Sequence, residues 1–132
     1  MREELVDAVL QVAALVPAGK VLSYGDIAEL LGAAGPRQVG RVMALHGGAV
    51  SWWRVVRSDG SLPAVLMWQA LEHYRHEGTG LLFPSAAARP ALPKVRMAQA
   101  RWVPAERDFA RIDGIAADLR TKLSAATGGI DA

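Results

Sequence analysis

The turn Gly32-Ala33-Ala34-Gly35-Pro36 constrains this 132-residue chain more than any other stretch, because it separates two short apolar segments that both read as helices. Ser23 stands ahead of Tyr24-Gly25-Asp26 in the form of a capping box, where a hydroxyl and an acid three residues on satisfy each other's backbone N–H groups. A helix is expected from there to about Leu31. Pro36 takes the first position of the next helix, where its missing N–H does no harm, and that helix carries Arg37, Gln38, Val39, Arg41, Val42, Met43 and Leu45. Two short helices around a glycine-bearing turn suggest helix-turn-helix. In that motif Val39, Val42 and Met43 would pack on the first helix and leave Arg37, Gln38 and Arg41 as a contact set of two cations and an amide. The same pattern fits an ordinary helical hairpin with a solvated charged face, and the spacing alone does not separate the two.

The remaining elements follow from periodicity. Leu5, Val9, Val12, Ala13 and Val16 recur at helical spacing, so a helix is expected from about Glu3 to Val16. Val55-Val56 before Ser58-Asp59-Gly60 reads as a strand entering a tight turn, with Ser61-Leu62-Pro63 as its hairpin partner or wing. Leu66, Met67, Ala70, Leu71 and Tyr74 predict a fourth helix ending at Gly78, Leu81-Leu82-Phe83 a short strand, and Pro84 to Pro93 a loop. From Glu106, Phe109, Ile112, Ala116, Leu119 and Leu123 mark a long C-terminal helix that frays into Thr127-Gly128-Gly129.

Chemistry is constrained mainly by what the residues lack. Cysteine is absent, which excludes disulfides, thiolate metal sites and a cysteine nucleophile. His73 and His76 share a helix face, but no further ligand completes a metal site, so they read as surface histidines. No serine has a nucleophile-elbow context and no phosphate-cradling glycine loop can be found. Catalytic, metal and cofactor residues are therefore all expected to be none. No apolar run is long enough to span a bilayer, and a soluble, cytoplasmic, single-domain monomer is expected. The net charge is only +2, yet the run Arg37 to Arg57 holds four arginines and no acid. That local positive field suits a phosphate backbone, as it would also suit a plain solvated face.

Three segments then fall in one order: Val16-Pro17-Ala18-Gly19-Lys20-Val21-Leu22-Ser23-Tyr24-Gly25-Asp26-Ile27-Ala28, Pro36-Arg37-Gln38-Val39-Gly40, and Trp53-Arg54-Val55-Val56 with Ser58-Asp59-Gly60. Together they resemble the DNA-binding domain of the O6-alkylguanine-DNA alkyltransferases. In that family the strand approach reads Pro-Cys-His-Arg, the cysteine accepting the alkyl group; here it is Ser51-Trp52-Trp53-Arg54. Tryptophan at the cysteine position resembles the alkyltransferase-like proteins, which bind the lesion without removing the alkyl group.

The resemblance implies a mainly α fold with a small β-hairpin: a winged helix-turn-helix domain of the alkyltransferase C-terminal type over residues 1–104, plus an extra C-terminal helix in a 105–132 extension. It implies a non-enzymatic protein that binds double-stranded, alkylated DNA in the minor groove, extrudes the modified guanine and flags the site for nucleotide excision repair proteins, associated with the nucleoid when bound. DNA-binding residues are Tyr24, Arg37, Gln38 and Arg41. Tyr24 would contact and rotate the target phosphate, and Arg37 would fill the gap left in the base stack. The lesion pocket would be lined by Trp52, Trp53, Arg54 and Val55, with Arg54 acting more as an anchor. Trp53 departs from the histidine of both groups and Ser51 from their proline. Pro63-Ala64-Val65-Leu66, expected to border the pocket, offers no cation or amide to read a base. The alternatives are a winged-helix DNA-binding or regulatory protein without lesion selectivity, and a protein-interaction module using Trp53, Trp68 or the last helix.

Overall fold

The computed structural model describes residues 2–87 and 92–131, with side chains to residue 125. Helix α1 (Glu3–Leu15) buries Leu5, Ala8, Val9, Val12 and Ala13 along one stripe. Helix α2 (Tyr24–Leu31) opens on the expected capping box: Asp26 N–H donates to Ser23 Oγ at 3.0 Å and Ser23 N–H donates to Asp26 Oδ2 at 2.9 Å. It ends on Gly32 in the left-handed conformation. Helix α3 (Pro36–His46) starts with proline as expected and buries Val39, Val42 and Met43. The second and third helices thus pack as the helix-turn-helix reading requires, across the turn at 32–35.

The small β component differs from the expected hairpin. Strand β2 (Val55–Val56) pairs in parallel with β1 (Leu22–Ser23), Leu22 opposite Val55 and Ser23 opposite Val56. A parallel pair needs a crossover, and α2 and α3 supply it. Ser61-Leu62-Pro63 is not a partner strand. Only Arg57 N–H reaches back to the Ser61 carbonyl, at 3.0 Å, and Pro63 has no N–H to extend a ladder. The turn instead binds strand β4 (Lys94–Val95): Val95 N–H donates to the Gly60 carbonyl at 2.9 Å. Gly60 has φ +85°, and a Cβ there would lie 2.2 Å from the Val95 carbonyl oxygen, so only glycine fits. Strand β3 (Leu81–Leu82), expected from its sequence, pairs antiparallel with β4. Residues 88–91 of the Pro84 to Pro93 loop lie outside the described residues.

Alternation along the β1–β2 pair divides the core. Leu22 and Val55 face one side, joining α1, α2, α3, Trp102 and the C-terminal helix α6 (Glu106–Asp131). Val21 and Val56 face the other, joining Met67, Ala70, Leu71 and Tyr74 of helix α4 (Ala64–Glu77) with Val95 and Ala100. Helix α5 (Met97–Ala100) follows β4 and leads to a parallel bridge between Val21 and Arg101. In α6, Ile112, Ala116 and Leu119 are buried in the core built by α1 to α3, whereas Phe109 is exposed. The helical backbone continues to Asp131 and does not fray at Thr127.

Candidate nucleic-acid interface

The segment between α3 and β2 is made of two 3₁₀ turns, Gly47–Ala49 and Trp52–Arg54. Because Trp52 and Trp53 lie in a turn and not in a strand, their rings do not simply alternate between core and surface. The two indoles meet edge to face, with centroids 5.7 Å apart, and Trp52 packs against both core clusters.

Trp52 forms one wall of a cavity of about 390 Å³ enclosed by α2, α3, β2 and the start of α4, a size in the usual range of roughly 300–1,000 Å³ for small-ligand sites. Met43, Val55, Leu62 and Leu66 supply apolar lining. Tyr24 lines the opposite side, and its ring lies on Gly40 of α3. A Cβ at Gly40 would stand 3.3 Å from the tyrosine ring, so the missing side chain is what lets the aromatic come this close. Burial raises the pKa of the Tyr24 hydroxyl, and the positive charge of Arg57 opposes that rise. The phenol therefore stays a neutral donor at physiological pH.

The polar equipment of the cavity is richer than the sequence suggests. Pro63 and Leu66 do border it, but Arg57 and Gln69 line it as well, giving the cation and the amide that the 63–66 stretch lacks. Gln69 escapes a linear reading because it lies on α4, folded back over the turn. Arg57 is visible in the sequence only as the end of the arginine run.

Trp53 and Arg54, expected in the pocket, are not among its lining residues. The 3₁₀ turn directs both toward the C-terminal end of α4. Trp53 Nε1–H donates to Glu77 Oε1 at 3.0 Å, and Arg54 donates through Nε at 3.1 and 3.2 Å to the two Glu77 oxygens. Arg54 Nη2 pairs with the same carboxylate, while Nη1 donates to the Val16 carbonyl at 3.1 Å. Gly19 N–H also donates to Glu77, at 3.1 Å. Burial alone would raise the Glu77 carboxyl, but the Arg54, Gly19 and Trp53 hydrogen bonds outweigh it and hold the pKa below the usual glutamate range. Tyr74 Oη donates to the Trp53 carbonyl at 2.6 Å. His73, expected to be an ordinary surface histidine, stacks on Trp53 with centroids 3.5 Å apart and planes within 7°. Among the described residues no metal-ligand cluster occurs.

Arg37, Gln38 and Arg41 all lie exposed on α3. Gln38 has a local task, its Oε1 accepting the Gly35 N–H at 2.9 Å at the start of the helix. Arg37 and Arg41, one turn apart, form no ion pair among the described residues. Their face therefore carries two free cations close to Gly40 and the Tyr24 ring.

The model of the 6-O-methylguanine DNA methyltransferase DNA-binding domain matches residues 4–78, a span that contains every residue lining the cavity and reaches Glu77. Among solved structures, Schizosaccharomyces pombe Atl1 in complex with damaged DNA containing O6-carboxymethylguanine has a similar fold, with TM-score 0.66, 27% identity, and coverage of 79% of this chain and 99% of that one. An S. pombe ATL in complex with DNA is similar to the same extent. No curated protein matches the chain. The family match spans more than half of the sequence and includes the helix-turn-helix, the Trp52–Arg54 turn and α4, so the chain belongs to the family of 6-O-methylguanine DNA methyltransferase DNA-binding domains.

Proposed function

We propose that this protein binds O6-alkylguanine-type lesions in double-stranded DNA without chemistry, receives the extruded base in the Trp52 cavity, and flags the site for nucleotide excision repair. The observation that carries this reading is the cavity itself, which sits beside the free cations of α3 and is walled by an indole where the family's alkyl acceptor would stand. With no cysteine in the 132 residues, there is no thiolate to take an alkyl group. Extruding a base costs a few kcal/mol, less for a lesion that pairs badly. Stacking on Trp52 returns on the order of 1–3 kcal/mol, and a planar guanidinium from Arg37 in the vacated stack offsets more. The Tyr24 hydroxyl, which has no protein partner among the described residues, is a donor for the phosphate of the rotated nucleotide. The similar S. pombe proteins bound to DNA and to a carboxymethylguanine lesion support the same use of the fold.

The test is a tryptophan-fluorescence titration with an O6-methylguanine duplex and its undamaged twin, repeated with Arg37→Ala. Half-quenching by the damaged duplex at lower protein concentration, with the preference lost and nonspecific binding kept in the variant, is the expected result. Equal titrations would remove the lesion claim. A winged-helix DNA binder without lesion selectivity is the second reading, favoured by one observation: the exposed Arg37–Arg41 face could hold phosphates with the cavity unused. It predicts sequence preference in place of damage preference, and both readings predict steep weakening with salt.

A further inference from the structure

Arg57 is the single cation among the residues that line the cavity, and no Asp or Glu lines it. Its guanidinium has no ion-pair partner among the described residues. The nearest acid in sequence, Asp59, is already committed: its Oδ1 accepts from the Ser61 hydroxyl at 2.6 Å and its Oδ2 pairs with Lys94 at 3.2 Å. The fold thus sets an unneutralised positive charge at the exposed rim of a cavity whose lining is mainly apolar, with Met43, Trp52, Leu62 and Leu66, and whose other polar side chains are those of Tyr24 and Gln69. An apolar cavity weakens hydration, so a charge at its edge discriminates sharply between a neutral occupant and an anionic one. A plain alkyl group touches the hydrophobic wall and leaves Arg57 as it was. A carboxylate on that alkyl group would complete a charge-assisted, bidentate hydrogen-bond pair.

We infer that Arg57 is a specificity-determining residue, and that it makes the cavity select guanines whose O6 substituent ends in an anion over guanines with a neutral substituent of equal size. This rests on the lesion-binding reading above. Arg57 engages the fold through its backbone, the N–H to Ser61 and the carbonyl to Gly60 N–H, and its side chain is exposed. Replacing the side chain is therefore compatible with folding.

The experiment titrates wild type, Arg57→Gln and Arg57→Lys with three duplexes of one sequence, carrying O6-carboxymethylguanine, O6-propylguanine or guanine. Wild type is expected to bind the carboxymethyl duplex at least tenfold tighter than the propyl duplex. Arg57→Gln should abolish that difference with the propyl Kd changed less than about threefold, and Arg57→Lys should keep part of it. Equal wild-type affinity for the two adducts would overturn the inference. A uniform loss across all three duplexes in Arg57→Gln would overturn it too, since it would show that Arg57 holds a backbone phosphate. If propyl binds better than guanine but no better or worse than carboxymethyl, lesion recognition stands and the charge selection falls. If neither adduct binds better than guanine, the lesion reading fails by itself.

Discussion

Trp52 and Trp53 are adjacent in the chain, yet the polar groups around them are in opposite states. On the Trp53 side the polar groups of Trp53, Arg54 and Glu77 satisfy one another: Glu77 accepts from the Trp53 indole, from Arg54 and from Gly19, and Arg54 also reaches the Val16 carbonyl. On the Trp52 side the Tyr24 hydroxyl and the Arg57 guanidinium line a cavity and have no protein partner among the described residues. Buried or half-buried polar groups that satisfy one another hold elements together, and removing one leaves the rest costly. Polar groups left open toward a cavity are available to something that enters it. The 3₁₀ turn Trp52–Arg54 is where one region becomes the other, so the Trp53 side is a buttress, and in the proposed function the Trp52 side is the receiving wall.

The difference can be broken most severely at Glu77. Its side chain is only 7% exposed and that of Arg54 19%, so Glu77→Ala strands a largely buried guanidinium and an indole N–H. A stability loss of about 3 kcal/mol is expected in urea denaturation, and a loss under ~1 kcal/mol would mean that the network does not buttress the turn. The same group predicts an acid limb. Because the folded carboxyl has a lowered pKa, its stabilisation is complete above the ordinary glutamate pKa and is lost as pH falls through the lower, folded one. Glu77→Gln should flatten stability against pH in that window, and an unchanged acid limb would assign it to other groups.

Next in size is Tyr24→Phe, which removes a hydroxyl with no protein partner. DNA affinity should fall about tenfold, the loss of a hydrogen bond to a charged phosphate oxygen, while the unfolding midpoint stays put. A variant that lost stability and kept affinity would move Tyr24 to the structural side. Trp53→Phe should do the reverse, costing about 1 kcal/mol of stability for the lost indole hydrogen bond and leaving DNA affinity nearly unchanged; a large affinity loss would put Trp53 back in the pocket. The smallest stability change is expected at Gly40→Ala. Better helix propensity is worth about 1 kcal/mol and opposes the 3.3 Å approach of the new Cβ to the Tyr24 ring. Melting should barely shift, but the displaced ring should weaken DNA binding severalfold. Unaltered binding would show that the close Tyr24–Gly40 contact is irrelevant to the interface.

Most helices were legible because their signals are local. The Ser23–Asp26 capping box, proline at the start of α3, and the apolar stripes of α1, α4 and α6 each sit within a few turns of chain. The β pairing was not, because Val55–Val56 could pair with the segment just ahead or with one more than thirty residues behind, and only the packing of α2 and α3 as a crossover chose the latter. The cavity was half legible. Of the four residues expected in the pocket, Trp52 and Val55 line the cavity; Tyr24, expected at a phosphate, lines it too, and Gln69 comes from a helix whose orientation no local pattern encodes, while Trp53 and Arg54 leave it because a 3₁₀ turn rotates side chains differently from a strand.

What the sequence by itself determined is the kind of protein this is: the ordered motifs from Val16 to Gly60 carry the family, and the 132 residues offer no cysteine thiol. Tertiary structure alone decided which indole lines the cavity, that Glu77 holds the other, and that Arg57 lines the cavity with no ion pair among the described residues. The reason is physical. Residue type and local spacing determine which interactions a side chain is able to make, but whether a charge is neutralised or left open depends on groups brought near it from distant parts of the chain.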